Sequence, residues 1–196
     1  MFTSKQLEIL AKPLNSSRVA KRSQGNKQLS YLEAWDVKAH LIRVFGYGGF
    51  DAELVDYGFV DRRDYESQEK KPMVEVIWYA KVMLTIWHGD GKSSTYTEGA
   101  VGSASGPASM LGEHHDNALK TAESDALKRC AVYLGNQFGL SLYDNGSTAD
   151  VVKGTLLDPP KEPTEEEQAA EARVTEALGA TPVETHDDQG NQVTPS

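Results

Sequence analysis

Residues 117–143 read NALKTAESDALKRCAVYLGNQFGLSLY, and the spacing of apolar residues in this stretch decides the fold. Leu119, Ala122, Ala126, Cys130, Tyr133 and Leu134 recur at intervals of three and four, which lays one apolar stripe along a helix and requires a sheet or second helix to cover it. The stretch reads as the core helix. Lys128 projects almost opposite the stripe and Arg129 from its flank, so the helix that builds the core also holds two cations toward solvent or a ligand. Asp125 stands four residues before Arg129, an order that favours an ion pair. Arg129 therefore has two readings, a paired surface charge or a ligand contact. Ser124 and Val132 give Lys128 no partner four residues away, which predicts that it is the freer charge. Glu123 falls inside the stripe, where a carboxylate needs a bonding partner; it is expected to cap a neighbouring element or line an interface.

The chain has 196 residues, 39% hydrophobic and 25% charged, a composition that allows one domain and a tail. No stretch reaches the roughly 18 consecutive apolar residues of a membrane span, and the first residues lack a signal peptide's basic end and apolar run. A cytoplasmic protein with no membrane partner is expected. Cys130 is the single cysteine and falls on the buried stripe, so it reads as a small core residue.

The net charge of −9 is unevenly distributed. From Asp158 onward ten acidic residues face only Lys161 and Arg173, which accounts for −8 of it. The first 43 residues carry eight cations against Glu8, Glu33 and Asp36. Arg18, Lys21, Arg22 and Lys27 fall within a turn-rich segment that reads either as a solvated loop or as a flexible basic arm meeting phosphates. The pattern predicts a domain over 1–150 and an acidic, mostly disordered tail over 151–196, with a transient helix over 164–178.

In chain order, a short helix is predicted over 4–12, ended by Pro13. Ser30 and Glu33 suggest a capping box opening a helix over 31–45 that Gly46 stops. FDAELVDYGFV (50–60) reads as a strand, and DRRDYESQEKK (61–71) as a mobile charged loop. Residues 73–87 give the strongest strand signal: Val74, Val76, Trp78, Ala80, Val82, Leu84 and Ile86 share one face, and the other face is mixed. The turn at 88–91 leads to a return strand over 93–101, and 102–112 reads as a small-residue loop.

Catalytic motifs are absent at meaningful spacing. Gly91-Lys92-Ser93 ends like a phosphate loop, but the required earlier glycine is replaced by Ile86, and a hairpin follows. Glu113, His114, His115 and Asp116 are sequence neighbours that do not all face one ion; His115 or Asp116 reads better as a helix cap, with a small metal-dependent nuclease as the rival reading. No metal, cofactor or enzymatic activity is expected.

Three ordered motifs carry a resemblance to a known family. Tyr31-Leu32-Glu33-Ala34-Trp35, then Val44-Phe45-Gly46-Tyr47-Gly48-Gly49-Phe50, then Asp125-Ala126-Leu127-Lys128-Arg129 with Gly135-Asn136 and Gly139-Leu140 resemble the Rad fifty-two single-strand annealing family and its phage members, over roughly residues 14–144. The resemblance implies an α+β fold: a β-β-β-α core in which an antiparallel three-stranded meander packs on a long helix, preceded by a helix, in a ring-forming oligomer. It also implies annealing of complementary single-stranded DNA without ATP in homologous recombination and double-strand-break repair. By resemblance Lys128 and Arg129 are groove cations, and Arg18 or Arg22 is the basic-arm arginine, with Lys21, Lys27 and Lys92 as further DNA contacts. Relatives carry a lysine beside the Asp-Gly of the hairpin turn, where this chain has His88 and, displaced beyond it, Lys92. The loop 102–112 has no lysine, which puts a second DNA path in doubt. The expected setting is phage DNA in a bacterial cytoplasm or nucleoid, with a host or phage replication or recombination protein as a partner of the acidic tail. A single-strand or DNA-end protector that binds without annealing is the alternative.

Overall fold

The computed structural model describes residues 2–25, 27–155 and 173. The tail helix expected over 164–178 lies outside the described residues, residue 173 excepted. Helix α1 (Ser4–Ala11) opens on a capping box in which Thr3 Oγ1 accepts from the Gln6 amide and the Gln6 side chain accepts from the Thr3 amide. The segment read as a loose basic arm is a hairpin: β1 (Val19–Gln24) pairs antiparallel with β2 (Lys27–Leu32). Ser30 and Tyr31 are committed to this ladder opposite Lys21 and Ala20, so the predicted capping box does not form. Helix α2 (Ala34–Phe45) starts three residues later than the sequence suggests, behind Glu33, which makes no side-chain cap bond.

The main sheet is β3 (Phe50–Glu66), β4 (Pro72–Trp87) and β5 (Ser93–Pro107), antiparallel in that order. Strand β3 runs through residues 61–66, which were expected in a loop. Their charge does not oppose a strand, because this end of β3 is exposed and its ions pair along the sheet: Arg62 with Asp64 at 2.7 Å and Arg63 with Glu75 at 3.2 Å. Register shifts at Leu54/Asp56 and Phe59/Asp61 leave Val55 and Val60 without a cross-strand partner, and both are exposed beside Tyr57, Phe59 and Tyr65.

Strand β5 likewise continues through 102–107, where small residues suggested a loop. Their smallness serves packing instead. A Cβ at Gly102 would overlap the Ala118 carbonyl oxygen and the Ala122 amide nitrogen of α3 (Leu111–Val132), and one at Gly106 would strike the His114 ring. The helix thus lies close on the sheet through Ala118, Ala122 and Ala126, all fully buried. It begins six residues earlier than the quoted stretch.

The core lies between α3, α2 and the inner face of β4. Val74, Val76, Ala80, Val82, Leu84 and Ile86 are buried as the two-residue alternation requires; Val82, Leu84 and Ile86 pack in one cluster with Val37 and Leu41 of α2 and Cys130 and Ala131 of α3, and Val74 and Val76 in a second with Ala118. Burial of each large aliphatic side chain contributes about 1.5–3 kcal/mol. Cys130 donates its thiol to the Val82 carbonyl, Sγ to O 3.2 Å, and burial pushes its pKa up, which keeps it an inert core thiol. Tyr133, assigned to the apolar stripe, is instead 62% exposed, because α3 ends at Val132 and the chain turns away.

After α3, 3-10 turns at Asn136–Phe138 and Leu140–Tyr143 tie the ends of the domain together. Buried Asn136 donates to the Ala11 and Val152 carbonyls and accepts from the Val151 and Val152 amides. Gln137 donates to the carbonyls of Lys12 and Pro13.

Candidate nucleic-acid interface

The hairpin β1–β2 and the C-terminal half of α3 border an open cleft of about 300 Å³. Buried Leu32, Val37 and Phe138 supply an apolar lining, and Arg22, Lys128, Arg129 and Asp125 supply the charge, with Tyr31 and Tyr143 alongside. Arg22 and Tyr31 reach one another because the antiparallel register, with Arg22 opposite Leu29 and Ala20 opposite Tyr31, puts both on the same hairpin face. The guanidinium carbon of Arg22 lies 5.5 Å from the Tyr31 ring centroid, and Lys128 Nζ lies 5.7 Å from it. Both distances are within the range of a cation–π attraction. A hydrogen bond to Glu33 Oε1 at 2.9 Å raises the Tyr31 pKa, so the phenol stays neutral beside these cations.

Lys128 is not the freer charge. Its Nζ lies 2.6 Å from Asp125 Oδ1, the carboxylate three residues back. The four-residue spacing does not find that partner, but residues three apart also meet on a helix. Arg129 takes another route and donates from Nη1 to the Gly99 carbonyl at 3.1 Å, tying α3 to β5. An ammonium has three donors and a guanidinium five, so neither cation is exhausted by these bonds.

The other expected contacts divide. Arg18 is absorbed by the fold: Nε lies 3.1 Å from both Asp36 oxygens, Nη2 2.8 Å from Oδ2, and Nη1 2.9 Å from the Gln137 carbonyl. Its side chain is only 12% exposed and does not line the cleft. Lys21 is exposed and alternates to the hairpin face away from Arg22. Lys27 opens β2. Lys92 is exposed in the β4–β5 turn and is not among the cleft residues.

Nearby, His40 is buried against Phe138, with ring centroids 5.0 Å apart, and its Nδ1 accepts from Arg43 at 3.0 Å. Burial first, then Arg18 and Arg43, push its pKa down to about 4, against a smaller opposing pull from Asp36. At the far end of α3 neither His115 nor Asp116 is a cap. His115 Nδ1 accepts from Trp78 Nε1 at 2.8 Å, and Asp116 pairs with Lys120 at 2.6 Å. His114 Nε2 lies 3.1 Å from the Pro107 carbonyl. Among the described residues no three His, Cys, Asp or Glu side chains converge as metal ligands, and no helix is long and apolar enough to cross a membrane.

An open groove with three cations and aromatic rings suits an extended polyanion carrying flat bases. Residues 3–158 match the family model described as Rad52/22 family double-strand break repair protein. The chain belongs to the Rad52/22 family. It is 30% identical over 159 residues to the DNA repair and recombination protein RAD52 of Saccharomyces cerevisiae, covering 77% of this chain and 30% of that protein. The protein of the same name from Candida glabrata is 29% identical over 154 residues, 77% of this chain and 28% of the relative. The DNA repair and recombination protein rti1 of Schizosaccharomyces pombe is 26% identical over 150 residues, 76% and 38%. The chain thus spans about a third of the length of these Rad52/22 relatives.

Tyr31 and Tyr143 line this cleft, and Tyr133 and Tyr143 line a neighbouring one beside Arg129, although the sequence signal marks none of them as a site residue. Tyr31 lies within the Tyr31–Trp35 motif, but it meets Arg22 only as a β2 residue opposite Ala20, not as a residue of a helix. Tyr133 falls on the apolar stripe and so reads as core, and Tyr143, beyond the helix, carries no periodic signal.

Proposed function

We propose that this chain binds single-stranded DNA along the Arg22–Lys128–Arg129 cleft and anneals complementary strands without ATP, as a step in homologous recombination and double-strand-break repair. The observation that carries this reading is the pairing of Arg22 and Lys128 over the Tyr31 ring in an open cleft. Cations hold the phosphates, a neutral ring accepts a base by stacking, and openness leaves the remaining bases accessible to a second strand. Family membership and the relatives' role in DNA repair and recombination support it. Arg22 is the arm contact in this proposal, with Lys21, Lys27 and Lys92 as peripheral phosphate contacts. No bond-breaking chemistry is assigned.

A single protomer offers few phosphate contacts, so the proposal includes a ring of copies in which identical clefts act together on one strand. The exposed Val55, Tyr57, Phe59, Val60 and Tyr65 of β3 are suited to burial between copies. The annealing domain is assigned to 1–150, and the acidic tail over 151–196 to a replication or recombination partner. Phage DNA in a bacterial cytoplasm or nucleoid is the proposed setting, on the motif resemblance alone.

The test is to incubate labelled single strands with protein and Mg²⁺, then add the complement. Bound, intact strands that pair faster than they do alone support annealing. Bound, intact strands that pair no faster leave a protector, and loss of strand means a nuclease.

A further inference from the structure

Beside the cationic cleft lies a second depression of about 430 Å³, lined by Glu98, Arg129, Val132, Tyr133 and Tyr143. Arg129, Val132 and Tyr143 line both, so the two adjoin at these residues. We propose that Tyr133 and Tyr143 form a separate base-binding position, which takes one nucleobase of the bound strand by stacking while Arg129 holds the adjoining phosphate. The inference rests on the strand-binding reading and adds to it where a base is held.

The site is built in advance. Tyr133 stacks on Tyr96 with centroids 5.3 Å apart and planes 10° from parallel, and its hydroxyl donates to Glu98 Oε1 at 2.8 Å. Stacking on one side and a hydrogen bond at the rim hold the ring still, so its other face meets a base with little further loss of side-chain freedom. Tyr143 closes the last 3-10 turn and is 74% exposed, a large aromatic surface left in water. Both rings remain as platforms on which any base stacks, since every base has a π-face.

Charge selects the base over the phosphate. The lining carries one cation and one carboxylate, Arg129 and Glu98. A phosphate entering it meets the Glu98 charge, whereas a neutral base meets no such repulsion. The first cleft, with Arg22, Lys128 and Arg129 against Asp125, keeps the phosphate path.

The experiment compares binding of a deoxythymidine oligonucleotide and an abasic deoxyribose-phosphate strand of equal length, with melting curves confirming that each variant folds. Tyr143→Ala is expected to weaken thymidine-strand binding about ten-fold, within the range seen on removing a stacking platform. Its salt slope should match wild type, and its binding to the abasic strand should not change. Tyr143→Trp should retain thymidine binding, and Lys128→Ala should weaken both strands. Equal loss on both strands in Tyr143→Ala overturns the base position, as does no loss on either while Lys128→Ala still weakens binding. Failure of the wild type to bind either strand overturns the strand-binding reading itself, and the base position with it.

Discussion

The ammonium of Lys128 lies 5.7 Å from the centre of the Tyr31 ring while its nitrogen is 2.6 Å from Asp125 Oδ1, so the cation is held between an aromatic platform and a carboxylate of its own helix. Asp125 therefore competes with any incoming phosphate. Lys128→Ala should weaken single-strand binding roughly ten-fold at low salt, the order expected for one charge-assisted hydrogen bond. Its salt slope should fall by about 0.7 per protomer. Asp125→Asn should act in the opposite sense and tighten binding about two- to five-fold, because a partly exposed ion pair is worth about 1 kcal/mol or less. Titrations at two salt concentrations, with melting curves as a control, read both effects. Unchanged affinity in both variants removes Lys128 from the interface.

Arg18 and Arg22 are four residues apart and should fail differently. Arg18→Ala leaves Asp36 buried and uncompensated, and should cost about 3–5 kcal/mol of stability. The double variant Arg18→Leu/Asp36→Leu should regain most of that loss, since no charge is then stranded. Arg22→Ala should leave the melting temperature near wild type and weaken DNA binding. Thermal melts beside binding isotherms separate the two, and the reverse pattern would exchange their roles.

His40 predicts an acid limit to stability. Its folded pKa of about 4 lies below the ordinary value of 6.5, so the unfolded chain takes up a proton that the folded chain refuses. The stabilisation is complete above about pH 6.5 and is lost as pH falls from there toward 4. The total is roughly 3 kcal/mol. Replacement by Leu should flatten the dependence of denaturation midpoint on pH in that window. An unchanged slope would place the acid sensitivity elsewhere.

The residues from Asp158 onward carry −8 of the chain's −9. If they compete with DNA for the cationic cleft, removing 158–196 should raise single-strand affinity at low salt and have little effect at high salt, where such competition is screened. Equal affinity with and without the tail would leave only a recruiting role for it.

The sheet and the core helix were legible because their signals are periodic and one-sided: β4 buries alternate residues, and α3 buries every third or fourth. The hairpin was not, because its strands are short, bury only Leu32 among the described side chains, and carry the polar residues of a loop. That error hid the site, since Arg22 and Tyr31 share a face only in an antiparallel register. Arg18 was indistinguishable from Arg22 in sequence because its partner, Asp36, comes from the next helix. Gly102 and Gly106 read as loop residues because a packing contact with α3 leaves no local trace. The cations at 128 and 129 were visible from their helical phase, but their present partners, Asp125 and Gly99, were not anticipated.

The most direct measurement is the annealing rate of two complementary oligonucleotides without nucleotide, comparing wild-type protein with Lys128→Ala/Arg129→Ala. The account predicts acceleration by the wild type and its loss in a double variant that remains folded. Tight binding by the wild type with no acceleration, or full acceleration by the variant, would contradict it.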